Sequence, residues 1–221
     1  MLRPHSLRIG LALLVTLALA GCAGGPAIPD TTYYRLGQLP VVQAWEAPLT
    51  RQPIVVPTFV ADGVHSDQAL LYALDDEGMR LRAYHYQLWV DPPTRMLQRR
   101  LIATLRRANV APLVVDNLPQ AREPAQISGR IIALERVPSG GSWTIQVALG
   151  LRYQPPQSNR LDAPGDESDG VDGDGMVRVY RETRAVPDGS VETSARMIGD
   201  AVDAIFVQFM ADLEAMQAVS Q

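Results

Sequence analysis

Thiols, imidazoles and clustered carboxylates are the side chains whose chemistry a sequence shows first, and this chain has few of them. It holds one cysteine, Cys22, and three histidines, His5, His65 and His85. His65, Ser66 and Asp67 are consecutive, yet a nucleophilic triad needs its three groups in a geometry that chain neighbours do not provide. His65 and His85 alone are too few for a zinc site without an unusual carboxylate share. The CxxC, HExxH and GxSxG patterns and the phosphate-binding loop are all absent. Asp166, Asp169, Asp172 and Asp174 invite a calcium loop. Counted from Asp166, however, an EF-hand would place glycine at position 5, aspartate at 7 and valine at 12, where glutamate is required. The register fails, and the acidic run reads as a solubilising insertion. The expectation is a protein with no catalytic residues, metal or cofactor. What remains is the Cys22 thiol, which has no second cysteine to pair with.

The segment that carries Cys22 explains it. Arg3 and Arg8 precede an apolar run of 12 residues from Ile9 to Ala20. Such a run is too short for a stable membrane span and suits the core of a signal peptide. It closes on Leu19-Ala20-Gly21-Cys22, which resembles the lipobox of bacterial lipoproteins. The resemblance implies cleavage between Gly21 and Cys22, diacylation of the Cys22 sulfur and acylation of the new N-terminus. Several acyl chains, each contributing about 0.8 kcal/mol per buried CH2, anchor where one would bind reversibly. Gly24, Gly25, Pro26 and Pro29 then make residues 22–30 a flexible leash. In Gram-negative lipoproteins an aspartate after the modified cysteine commonly retains the protein at the inner membrane, so the resemblance, with Ala23 in that place, implies transfer to the periplasmic face of the outer membrane. The competing readings are an ordinary signal peptide ending near a cysteine and a buried N-terminal helix.

Residues 22–221 contain all 24 acidic residues and 18 of the 20 arginines, with no lysine anywhere. A mildly acidic chain without a basic tract argues against nucleic-acid binding. An apolar content of 47% supports a real core in a single domain spanning 31–221.

Hydrophobic patterning predicts the elements of that domain. Thr31 to Gly37 is β-branched and aromatic and reads as a strand. Pro53 to Val60 is a second strand, edge or bulged because Pro57 cannot donate to a ladder. Leu70–Leu74, a turn at Asp75–Gly78 and Met79–Val90 form a hairpin. Asp91 is placed to cap a helix over 94–109, whose Leu97, Leu101, Leu105 and Ala108 share one face. Its five arginines read as a solvated face, favourable toward the C-terminal end of the helix dipole. Gln126–Arg136 is a long, imperfectly alternating strand. From Trp143 to Tyr153 the alternation is strict. Residues 155–175 are rich in aspartate and glycine and read as a flexible acidic loop. Met176–Ala185 returns as a strand. The closing helix, from about Glu192 to Met216, carries Ile198, Val202, Ile205, Phe209 and Leu213 on a broad apolar face. The class expected is α/β: a mixed sheet of five to seven strands packed against two main amphipathic helices.

Tyr33, Tyr34, Tyr84, Tyr86 and Trp89 belong to an aromatic set that also includes Tyr72 and Trp143. Tyrosine and tryptophan anchor interfaces, so an exposed cluster would mark a partner surface. Packing in the sheet core is the other reading.

A lipobox and leash followed by Tyr33-Tyr34-Arg35-Leu36-Gly37, the Pro53-to-Pro57 strand, and a hairpin arm running Tyr84-His85-Tyr86-Gln87-Leu88-Trp89 into an Arg-rich helix form a pattern together with the closing helix. It resembles the ABC-type transport auxiliary lipoprotein family, the PqiC/YmbA-like membrane integrity-associated transporter subunits. Gln87 before Trp89, where the family often has Arg or Asn, and the acidic insertion depart from the family pattern, while Asp91 supplies the acidic residue found soon after the tryptophan. The resemblance implies a non-catalytic periplasmic lipoprotein that docks an MCE-domain lipid tunnel at the outer membrane, as a homo-oligomeric ring. An envelope-assembly scaffold binding another protein, or a periplasmic hydrolase, are the alternatives.

Overall fold

The computed structural model describes residues 29–118, 124–156 and 175–219. Gly21, Cys22, most of the leash and most of the acidic segment lie outside them. Along the chain the elements are β1 (Thr32–Tyr34), β2 (Ile54–Val55), β3 (Val60–Ala61), a 3-10 turn (Gly63–Ser66), β4 (Ala69–Ala73), β5 (Leu81–Trp89), α1 (Pro93–Arg107), β6 (Val114–Val115), β7 (Ala125–Ser139), β8 (Ser142–Gln154), β9 (Met176–Val186) and α2 (Val191–Val219). The class is α/β, as expected, but the mixed sheet has nine strands among the described residues and not five to seven. The difference comes from short strands: the Pro53–Val60 segment divides around Pro57 into β2 and β3.

β7 is the strand on which the others are assembled. One edge pairs antiparallel with β8 along nearly its whole length. The other edge is shared in succession by β2, β3 and β4, all parallel to it. β5 pairs antiparallel with β4 and parallel with β1, β6 lies parallel on β2, and β9 lies antiparallel on β8. A two-residue loop joins β7 to β8. Gly140 (φ 56°) and Gly141 (φ 81°) supply the left-handed backbone that such a hairpin needs.

The strict alternation of β8 reports a buried face: Ile145, Val147, Leu149, Leu151 and Tyr153 are all in the core. Opposite them, β7 turns Ala125, Ile127 and Ile131 inward. A register shift between Ile131 and Ala133 then moves the inward face to Leu134 and Arg136. That bulge is why the β7 pattern alternates imperfectly. The inner face is covered by α2, whose Ile198, Val202, Ile205, Phe206, Phe209 and Leu213 are fully buried, with Leu97, Leu101 and Leu105 of α1 joining the same core. Burying one such side chain contributes roughly 1.5–3 kcal/mol.

Both helices are finished by local chemistry. α1 starts at Pro93, with no side chain capping it, so the expected Asp91 cap is not formed; Asp91 instead pairs with Arg99 at 2.9 Å. Its C-terminus is a Schellman turn. Asn109 takes φ 56°, its N–H donates to Arg106 O, and Val110 N–H donates to Leu105 O. At α2, the Ser190 Oγ accepts from Thr193 N–H at 3.1 Å, an N-cap bond. Ser190→Ala is expected to cost about 1 kcal/mol, read from urea unfolding midpoints; an unchanged midpoint would assign the cap no energetic part.

Candidate docking site

The Tyr33–Gly37 run is divided between surface and core. β1 pairs Tyr33 with Leu88 and Tyr34 with Trp89. Alternation sends Tyr34 and Trp89 inward, 9% and 1% exposed, while Tyr33 is 59% exposed. The Tyr34 hydroxyl donates to Gln87 Oε1 at 2.6 Å and lies 3.3 Å from Glu192 Oε1 in the first turn of α2. Burial, and then the Glu192 carboxylate, push its phenol above the usual tyrosine range, so it stays a donor. Leu36 packs against the core, and Gly37 approaches Gly199 of α2 closely enough that a Cβ on Gly199 would sit 3.5 Å from the Gly37 nitrogen. The Gly37 and Gln38 carbonyls accept from Arg100 at 2.9 and 2.7 Å. The segment thus straps β1 across both helices.

Of the five aromatic residues expected at a partner surface, Trp89 and Tyr34 are core residues, because the inward face of β1 and β5 meets the helices. Tyr33 and Tyr86 (37% exposed) reach solvent. Tyr84 is half-buried and belongs to a cluster the sequence does not announce. There the buried Arg136 guanidinium donates to Tyr84 Oη at 2.6 Å and to the Gly189 carbonyl at 2.5 Å. It also lies 4.2 Å from the Trp143 ring centroid, with the Tyr72 ring tilted against that of Tyr84 at a centroid separation of 4.5 Å. Its Nε has no partner, and no carboxylate pairs with it among the described residues. Cation–π contact, worth about 2 kcal/mol when desolvated, stands in for the missing anion. The bulge in β7 places Arg136 there, and only the broken alternation hints at it.

Other charged groups are cross-links. Arg100, one of the five arginines expected on a solvated face, is buried and forms a fork with Asp203 of α2, Nε to Oδ1 at 2.5 Å and Nη2 to Oδ2 at 2.6 Å. His65 Nε2 meets Glu135 Oε2 at 3.0 Å. Ser66 donates its hydroxyl to the Gly63 carbonyl at 2.7 Å, so His65, Ser66 and Asp67 do not assemble as a triad. The gap beside them, between Asp67, Leu71 and Pro93, is too small to admit a water molecule. No group of three or more His, Cys, Asp or Glu side chains among the described residues could hold a metal ion. None of the described helices is long and apolar enough to cross a membrane.

No family model matches the chain, and no curated protein matches it. Its fold is shared with solved structures. A Xanthomonas campestris protein of the DUF330 family superposes with a TM-score of 0.65 at 13% identity, covering 86% of this chain and 98% of that one. An uncharacterized protein superposes with a TM-score of 0.62 at 9% identity, covering 83% and 99%. At these identities the likeness is one of fold.

Proposed function

We propose that this chain is a non-catalytic, lipid-anchored subunit of an MCE/ABC-type lipid transport system. It is held by acyl groups on Cys22 at the periplasmic face of the outer membrane, where its domain docks the end of a trans-periplasmic lipid tunnel and supports envelope integrity. The observation that carries the reading is Leu19-Ala20-Gly21-Cys22 behind a short apolar run, with the only cysteine of the chain at the acylation position. The domain offers support of a general kind. Several charged groups, Arg100 with Asp203 and His65 with Glu135 among them, are engaged in cross-links, and Tyr33 and Tyr86 stand exposed on neighbouring strands, as interface anchors do.

Two measurements test it. Cys22→Ser moves the protein from the membrane fraction to the soluble fraction; retention in the membrane would remove the lipid anchor from the account. Affinity capture of the native protein from detergent-solubilised envelope recovers an MCE-domain protein. Recovery of only a peptidoglycan enzyme or an outer-membrane barrel would instead make it an envelope scaffold.

A further inference from the structure

Just after β1 the chain forms one wall of an open groove of about 520 Å³, and α1 forms the other. Leu36, Leu39, Val90, Met96 and Ala103 make an apolar floor, and Arg35, Asp91 and Arg99 stand along the lining with them. The volume lies within the range of small-ligand sites. The charges do not cancel. Arg100, at the groove's end, is matched by Asp203, and Arg99 is matched by Asp91 through one N–H at 2.9 Å. Arg35 forms no ion pair or hydrogen bond among the described residues. The rim therefore carries one uncompensated positive charge, on a chain whose net charge is −4.

The polar groups at the groove are also mostly spent. The Gly37 and Gln38 carbonyls beside it each already accept one hydrogen bond from Arg100, at 2.9 and 2.7 Å, so they offer an extended peptide fewer partners. An alkyl chain needs no such partners, and the flexible Met96 thioether adapts to one. A guanidinium binds a carboxylate through paired N–H donors, and a single free arginine complements a single negative charge.

We propose that this groove binds a long-chain fatty acid, with its alkyl chain on the Leu36–Leu39–Met96–Ala103 floor and its carboxylate on Arg35, with a second donor from Arg99. The inference stands on the groove's own chemistry and holds whether or not the chain docks a lipid tunnel.

The test uses the full chain in its native membrane fraction and a palmitic acid bearing a photoreactive diazirine on its alkyl chain. After irradiation, adducts are mapped by peptide mass spectrometry. They are expected within residues 36–39 and 96–103. Arg35→Gln lowers labelling about tenfold, as loss of one charge-assisted contact should, and Arg35→Lys restores part of it. Ala103→Trp fills the floor and abolishes labelling. Arg35 is exposed, so its variants leave the fold intact. The site is overturned if the uncharged methyl ester of the probe labels equally, if Arg35→Gln changes nothing, or if adducts scatter over the surface. It is also overturned if a photoreactive residue at position 103 cross-links to another protein while the fatty acid leaves no adduct, for the groove then belongs to a protein partner.

Discussion

Asp203→Ala is expected to lower the unfolding free energy by about 3–5 kcal/mol, the range for removing one member of a buried, hydrogen-bonded ion pair. The Arg100 and Asp203 side chains are 6% and 11% exposed, and together they join α1 to α2. Without the carboxylate, the guanidinium keeps only the Gly37 and Gln38 carbonyls as partners and retains a buried, unneutralised charge. The penalty belongs to the orphaned cation more than to the bond itself. Replacing both members, as Arg100→Met with Asp203→Leu, should therefore recover most of the loss, since apolar replacements of similar volume often match a buried pair. Urea unfolding of the parent, Arg100→Met, Asp203→Leu and the double variant forms a complete cycle. A loss below about 1 kcal/mol for Asp203→Ala would place the pair energetically among surface ion pairs and refute this account.

Gly129→Ala is expected to destabilise by about 1–3 kcal/mol, the usual cost of overpacking a filled core. A Cβ on Gly129 would overlap the Phe59 ring, which lies across the β7 backbone at that point. Phe59 is itself 2% exposed and meets Phe206 of α2 edge-on at 6.4 Å, so its ring has no room to retreat. Glycine thus admits a ring to the sheet rather than relieving a strained backbone. Pairing Gly129→Ala with Phe59→Leu should cost less than the sum of the two single changes, because the smaller side chain vacates the space the new methyl needs. Strictly additive losses in urea unfolding would show that the two positions do not share that space.

How far the sequence discloses this molecule depends on whether a residue's role is local. β8 is legible because one face is buried from Ile145 to Tyr153 and the period of two survives intact. α1 and α2 are legible for the same reason at a period of 3.6. Gly129 is a visible signal too: an isolated glycine in a convincing strand marks a close approach, although nothing nearby says that the approaching ring is Phe59. Arg100 is not legible. Four other arginines share its helix, and what sets it apart is a carboxylate about a hundred residues later. Trp89 shows the same limit. Its type suits an interface as well as a core, and only the pairing of β5 with β1 turns it inward. Arg136 needs a one-residue register shift that hydrophobic patterning registers only as noise. For Cys22, sequence is the whole of the argument, since residues 1–28 lie outside those described.

The shared edge of β7 also sets a timetable. β2, β3 and β4 come from residues 54–73, yet their ladder partner is not made until residues 125–136. A ribosome that has released the first hundred residues has released β2 and β3 with no ladder partner, and β4 with only β5 beside it. Contacts of such long sequence separation slow folding, because the loop must close before any bond rewards it. β7, β8, β9 and α2 are consecutive and mostly close through neighbours, so the second half of the chain can assemble first and receive the first half afterwards.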